Sequence, residues 1–190
     1  MAYCTNTDVK TYLGISGTGD DTLLTALCAR AQAAVDRYCN RTFEASSNTD
    51  RKFDAVQDVD GAVLYLDADL ASINTVTNGD ATTVTSGQYV TEPRQDTPYY
   101  ALRLLASSGV AWTYSTDPQN AITVNGKWAY STSAPTDIVH ATIRWAAYLY
   151  RQKDASTFDT TASPDLGVIT VPQGIPADVE KLLAPYRKIV

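Results

Sequence analysis

From Asp21 the chain sets apolar side chains at Leu24, Leu27, Cys28, Ala31, Val35 and Tyr38. This is the three-and-four spacing of an amphipathic helix of about five turns. Just before it, "NTDVKTYLG" predicts a short helix with Asn6 or Thr7 as its cap and Gly14 as its stop, and "ISGTGDD" a turn-rich link. Between about 50 and 131 the helical spacing vanishes and Thr, Val, Tyr, Ser and Gly dominate. "AVLYLD", "SINTVT", "GQYVTEP", "YYALRLL" and "NAITVNGKWAYS" read as strands. Asn78-Gly79 predicts a hairpin, and Asn125-Gly126 a second tight turn or a bulge inside a long strand. Ile122, Val124, Trp128 and Tyr130 share one parity, so that strand has a heavily apolar face.

Helical spacing returns in "APTDIVHATIRWAAYLYRQKD", where Ile138, Thr142, Trp145 and Leu149 form one stripe and Val139, Ile143, Ala146 and Tyr150 widen it. A stripe that wide predicts burial on more than one side, in a bundle or at an oligomer interface. "ASTFDTTASPDLGVITVPQG" reads as a long polar loop with one extended segment, and "PADVEKLLAPYRKIV" as a short helix that Pro185 bends or stops. The fold class is therefore α+β: a small α-helical bundle formed by both chain ends (1–43 and 134–190) with an inserted antiparallel β-sandwich or barrel-like domain (44–133).

Charge narrows the function. There are 21 acidic and 15 basic residues, a formal net charge of −6, and no concentrated basic stripe, which argues against direct grip on nucleic acid. The cysteines are Cys4, Cys28 and Cys39; with no CxxC and an odd count they suit a reduced, intracellular, soluble protein better than a disulfide framework. No segment reads as a signal peptide or a membrane span. Within "DRYCNRTF" (36–43) lie a thiol and an Asn-Arg-Thr sequon, but a place near the edge of the stripe at the helix end makes Cys39 a small hydrophobe and the whole stretch a helix exit, with Phe43 folding back onto a core.

Catalytic chemistry finds no foothold. His140 is the one histidine and sits among Ile138, Val139, Ala141 and Ile143, which favours a structural or interface role. No GxSxG, Walker loop, HExxH or GxGxxG occurs. Asp54, Asp58, Asp60, Asp67 and Asp69 could supply oxygens to a calcium or magnesium ion, but they lack EF-hand spacing and read as solvated turns. No catalytic residue, cofactor or metal ligand is assigned. Twelve tyrosines and three tryptophans leave a carbohydrate-binding β-module as a minor alternative.

The opening "DVKTYLGI…DDTLLTALCARAQAAVDRYCNRTF" resembles the N-terminal helical pair of the head–tail connector proteins of long-tailed bacteriophages, also called head-completion or adaptor proteins. The matching residues are Val9, Tyr12, Leu13, Ile15, Asp21, Leu24, Ala31, Val35, Asp36, Tyr38, Arg41 and Phe43. The later run from "LDADLASINTVTNGD" to "APTDIVHATIRWAAYLYRQK" is similar to longer adaptor-like proteins that carry a β-insert.

The resemblance implies a structural virion protein of the neck, made in the host cytoplasm. It would form a homo-oligomeric ring, commonly a dodecamer, beneath the portal protein, extend the channel through which DNA passes without specific binding, and offer a platform to the next neck or tail component, away from any membrane. Another neck or tail-completion ring is the alternative. It further implies portal binding through Leu182, Leu183, Tyr186, Arg187, Lys188, Ile189 and Val190, with deletion of 181–190 expected to abolish that binding and spare the fold. Subunit contacts are expected on the 21–39 and 136–152 helices, with Arg30, Arg37, Arg144 and Trp145 involved.

Overall fold

A computed structural model describes residues 2–153, 160–163, 167–170 and 174–188. The chain divides into two units, one of Arg41–Ala134 and one of Ala2–Asn40 with Pro135–Val190. Among the described residues the second unit holds four α-helices: α1 (Asn6–Leu13), α2 (Asp21–Cys39), α3 (Thr136–Gln152) and α4 (Ala177–Leu183).

The start of α1 lies one residue earlier than either cap read from the sequence. Thr5 is the cap: its hydroxyl accepts from the Asp8 backbone N–H, and the Asp8 carboxylate accepts from the Thr5 N–H in return. Thr5 prevails over Asn6 and Thr7 because an acidic residue stands three positions on, where this reciprocal pair can close. Gly14 ends the helix with φ 69°, and Lys10 pairs with Asp21 at 2.7 Å to fix the entry to α2. At the far end of α2, Asn40 takes the left-handed conformation (φ 54°), which Asn tolerates better than most residues. The sequon asparagine is thus a helix stop.

Of the predicted α2 stripe, Leu24, Leu27, Cys28, Ala31 and Val35 are buried, while at the helix end Cys39 is buried and Tyr38 is half-buried. The wide stripe of α3 is used within the bundle: α3 packs on α1, α2 and α4. Its inward face alternates large and small, with Ile138 and Trp145 beside Ala141, Ala146 and Ala147. Thr142 is fully buried and its hydroxyl donates to the Ile138 carbonyl at 2.7 Å. The α-helix of the C-terminal segment stops at Leu183, and Pro185 sits in a 3₁₀ turn at Ala184–Tyr186.

The other unit is built from two antiparallel sheets. One runs β1 (Thr49–Phe53), β8 (Ile122–Lys127), β4 (Ser72–Thr77), β5 (Thr83–Val84); the other runs β2 (Val59–Asp60), β3 (Val63–Leu70), β7 (Tyr99–Leu104), β6 (Tyr89–Glu92). Phe53, Val76, Val84, Ile122 and Val124 of the first share a core with Leu64, Leu70, Leu102 and Leu104 of the second. This is a sandwich-like arrangement with open edges, not a closed barrel. Trp112 and Trp128 join the same core and bury their rings without stranding an indole N–H: they donate to the Ala62 and Thr49 carbonyls at 3.0 and 2.9 Å.

The two Asn-Gly pairs act through close approach. Asn78 and Gly79 lie in a five-residue connection, with Thr77 opposite Thr83, and the positive φ falls on Ala81 (67°). The hairpin exists, but Gly79 is there because a Cβ would stand 2.3 Å from the Thr113 carbonyl oxygen. Asn78 is buried, and its amide donates to the Ala111 carbonyl while its oxygen accepts from the Thr113 N–H, which ties down the 111–115 segment. Asn125-Gly126 makes no turn. Both lie within β8, opposite a bulge in β4 where Ile73 faces Gly126 and Thr75 faces Asn125. A Cβ on Gly126 would meet the Ser72 carbonyl at 2.2 Å.

Where the chain enters and leaves this unit the two segments join. Glu44 and Ser131 form a bridge, Tyr130 N–H donates to the Thr42 carbonyl, and Ala134 N–H donates to the Glu44 carboxylate. A further two-stranded ribbon, β9 (Thr160–Ser163) with β10 (Gly167–Thr170), stands where the sequence suggested a loop with one extended segment.

Candidate assembly surface

The C-terminal segment is strapped to the end of α2. Lys188 N–H donates to the Cys39 carbonyl at 2.8 Å, and the Asn40 side chain donates to the Lys188 carbonyl at 3.2 Å. The Arg187 guanidinium lies 5.6 Å from the centre of the Tyr38 ring, and Tyr38 donates to Glu180 at 3.3 Å. Desolvation, and then the Glu180 carboxylate, push the Tyr38 hydroxyl above its ordinary range. The Arg187 guanidinium therefore stands near the carboxyl end of a long helix, where the dipole favours positive charge, and Arg37 is exposed in the last turn of that helix.

Of the residues expected to bind the portal, Leu183 is fully buried in the bundle, Leu182 and Lys188 are half-buried, and Tyr186 donates to Asp137 at 3.3 Å. Arg187 is exposed; Ile189 and Val190 lie outside the described residues. This corrects the expectation for the 181–190 deletion. Removing Leu183 takes a core side chain and the α4 end, so a truncation that spares the fold must begin after Tyr186.

Arg30 and Arg37, seven positions apart, are exposed on one face of α2, together with Leu23, Ala26 and Ala33. Leu23 keeps 38% of its surface open. Arg144 pairs with Asp178 within the chain, and Trp145 is buried in the bundle. Sequence reasoning gave His140 a structural or interface role but did not join it to Tyr12, with which it shares a surface that Ile143 also lines. Tyr12 is 45% exposed and meets the His140 ring edge-on, centroids 6.3 Å apart. Its signal was the lone histidine on an otherwise apolar stretch.

The motif residues of the N-terminal resemblance do structural work. Asp36 accepts from the Tyr3 hydroxyl at 2.6 Å. Arg41 pairs with Asp69 at 3.3 Å beside the Tyr130 ring, and Phe43 is fully buried against Tyr130.

In the β unit the acidic turns are occupied locally. Asp54 accepts from the N–H groups of Val56 and Gln57, Asp58 accepts from the Asp54 N–H, and Asp67 pairs with Arg51 at 2.8 Å. Among the described residues no group of three or more His, Cys, Asp or Glu side chains is placed to hold a metal ion, and no helix is long and apolar enough to cross a membrane. Tyr65, Tyr100, Tyr114 and Val56 are the exposed large apolar side chains of this unit.

Comparison with known proteins gives a consistent picture. The sequence profile described as "head completion protein" matches residues 2–189. The fold is similar to a chain from the neck of an empty gene transfer agent particle, computed with C6 symmetry, at 15% identity and a TM-score of 0.57, covering 99% of this chain and 91% of that one. It is equally similar to a chain of the virion of a native gene transfer agent particle, at 16% identity, with the same TM-score and coverage. No curated protein sequence matches it.

Proposed function

The chain belongs to the head completion protein family, and from that premise we propose that it is a structural, non-enzymatic component of a phage-like neck. In this reading copies of the chain form a ring beneath the portal, carry the DNA channel onward and seat the next neck or tail component. The observation that carries it is the family match over nearly the whole chain, both units included. Twelve copies are the working number, and twelve is a multiple of the sixfold symmetry applied to the neck of the similar particle.

Two features support the details. The exposed face of α2 carries the small residues Ala26 and Ala33 alternating with Arg30 and Arg37, so a neighbouring subunit can approach closely while the arginines find acidic partners. Residues 41–134 hold eleven acidic and six basic residues, a charge that keeps passing DNA from adhering. The portal is met by the segment from Arg187 onward, helped by Leu182 and Tyr186; Arg144 contributes to subunit contact through the Asp178 pair, and Trp145 by holding α3 in place.

Electron microscopy of the purified protein, alone and mixed with portal rings, tests this. Rings, or a collar added to the portal, are the expected result; a monomer that ignores the portal overturns it. Truncation after Tyr186 should abolish portal capture with the helical circular dichroism unchanged, and retained capture would move the docking surface elsewhere.

A further inference from the structure

The sheet β2-β3-β7-β6 ends on β6, and its ladder fixes which backbone groups of that strand are spare. Leu105 N–H donates to the Gln88 carbonyl at 2.8 Å, while Leu104, opposite Tyr89, turns its N–H the other way, to the Ala62 carbonyl at 2.9 Å. Bonded and non-bonded pairs alternate along an antiparallel ladder. Val90 and Glu92 are therefore bonded to β7. The N–H and C=O groups of Tyr89 and Thr91 point away from it, with no backbone partner among the described residues.

The side chains of the same two residues lie on the face of Leu104 and Leu102, which stand opposite them and belong to the core. They border a hollow of about 420 Å³ at the open side of the sandwich, walled by Ala71, Ile73 and Tyr99. Beyond β4, β5 pairs only with Val76 and Thr77, so residues 72–74 have no outer neighbour strand there. Arg94 also lines the hollow; it is exposed, and its guanidinium has no partner among the described residues.

We propose that β6 accepts one extended segment of a partner protein, which adds a strand to the sheet, places an apolar side chain in the hollow and sets a carboxylate on Arg94. Spare donors and acceptors two residues apart call for an extended backbone. The added strand continues the alternation of the sheet, so every second side chain faces the hollow. Ile73, Tyr89 and Tyr99, packed against the core, make that position one for an aliphatic group. The unpaired guanidinium makes the position beside it one for a carboxylate. Among the other strand edges of the β unit, β1 would bring Arg51 and Lys52 towards Arg94, and β2 and β5 are two residues long. A second copy is therefore the poorer source of the strand.

The inference does not depend on the ring reading, and its test uses the full-length protein. The probe is a fluorescein-labelled peptide of alternating threonine and valine with aspartate at both ends, so that either strand direction brings a carboxylate to Arg94. Saturable binding by fluorescence anisotropy is the expected result. Hydrogen exchange at the Tyr89 and Thr91 amides, fast in the free protein, should slow by about tenfold or more at saturation. Arg94→Glu, an exposed change outside the core, should weaken binding about tenfold and leave the Tm unchanged. N-methylation of one alternate set of peptide residues, but not of the other, should abolish binding, because only one set faces β6. No saturable binding up to about 1 mM, binding that survives N-methylation of either set, or protection confined to other amides would each overturn the proposal. So would slow exchange at Tyr89 and Thr91 in the peptide-free protein that quickens on dilution, since a second copy would then be the occupant.

Discussion

The two units build their interiors from opposite materials. The helical unit spends small residues, Ala31, Ala141, Ala146 and Ala147, on letting helices approach, and fixes their ends with polar devices: the Thr5–Asp8 capping box, the Lys10–Asp21 pair, and Tyr150 donating to Asp20 at 2.5 Å. The β unit fills a sandwich with Phe53, Leu64, Leu70, Leu102, Ile122, Trp112 and Trp128, and lets backbone approach backbone at Gly79 and Gly126. The acidity is uneven too, since residues outside 41–134 hold ten acidic and nine basic groups, close to balance. Specificity of the helical unit thus rests on its ends, and that of the β unit on its middle.

The largest effects should come from the β interior. Leu102→Ala removes a fully buried side chain between the sheets and is expected to cost about 3–4 kcal/mol. Hydrogen exchange should then rise along β3 and β7; exchange unchanged there would mean that the core is shared less evenly than its burial implies. Next is Gly126→Ala, with an expected loss of about 2 kcal/mol in urea unfolding, because the new Cβ meets carbonyl oxygen and the bulge must shift. A neutral result would show that β4 can move away.

Caps are worth less. Thr5→Ala should cost about 1 kcal/mol and fray α1, seen as faster exchange at Asp8 and Val9. The smallest effect concerns pH. Burial raises the Asp36 carboxyl pKa, partly opposed by the Tyr3 hydroxyl. A raised folded-state value means that its contribution is full below the ordinary carboxylate range and is lost as pH rises through the folded value. Asp36→Asn should therefore gain on the parent protein at pH 7 and lose that advantage near pH 3, read from urea midpoints at both pH values.

The same contrast explains what could be read in advance. Helix spans were legible because the spacing of α2 and α3 repeats over many turns, and the exit at Asn40 carries its own stop. The helical cap slipped by one residue because three successive candidates, Thr5, Asn6 and Thr7, compete, and Asp8 decides among them. In the β unit β3, β4, β6, β7 and β8 were visible as β-branched and aromatic runs. β1 was not: "TDRKF" is charged and mostly exposed, and it is a strand only because β8 pairs with it along its length. Asn78-Gly79 announced the hairpin but not the buried asparagine or the close approach, which depend on residues more than thirty positions away.

For the assembly surface, sequence supplied charged and apolar candidates but could not say which were already engaged. Arg144 and Leu183 are used within the chain, and Arg30, Arg37 and Arg187 are left exposed.

The zipped junction at Thr42–Glu44 and Tyr130–Ala134 has a bearing on how such proteins diversify. Because the incoming and outgoing segments are hydrogen-bonded to each other at the base, the helices meet the ninety-odd intervening residues as though they were a hairpin of a few. Loop closure grows only slowly with length, and here most of that length lies beyond the clasp. Strands can be added, trimmed or exchanged above it, by recombination or by design, while the helical frame inherits the same two anchor points each time.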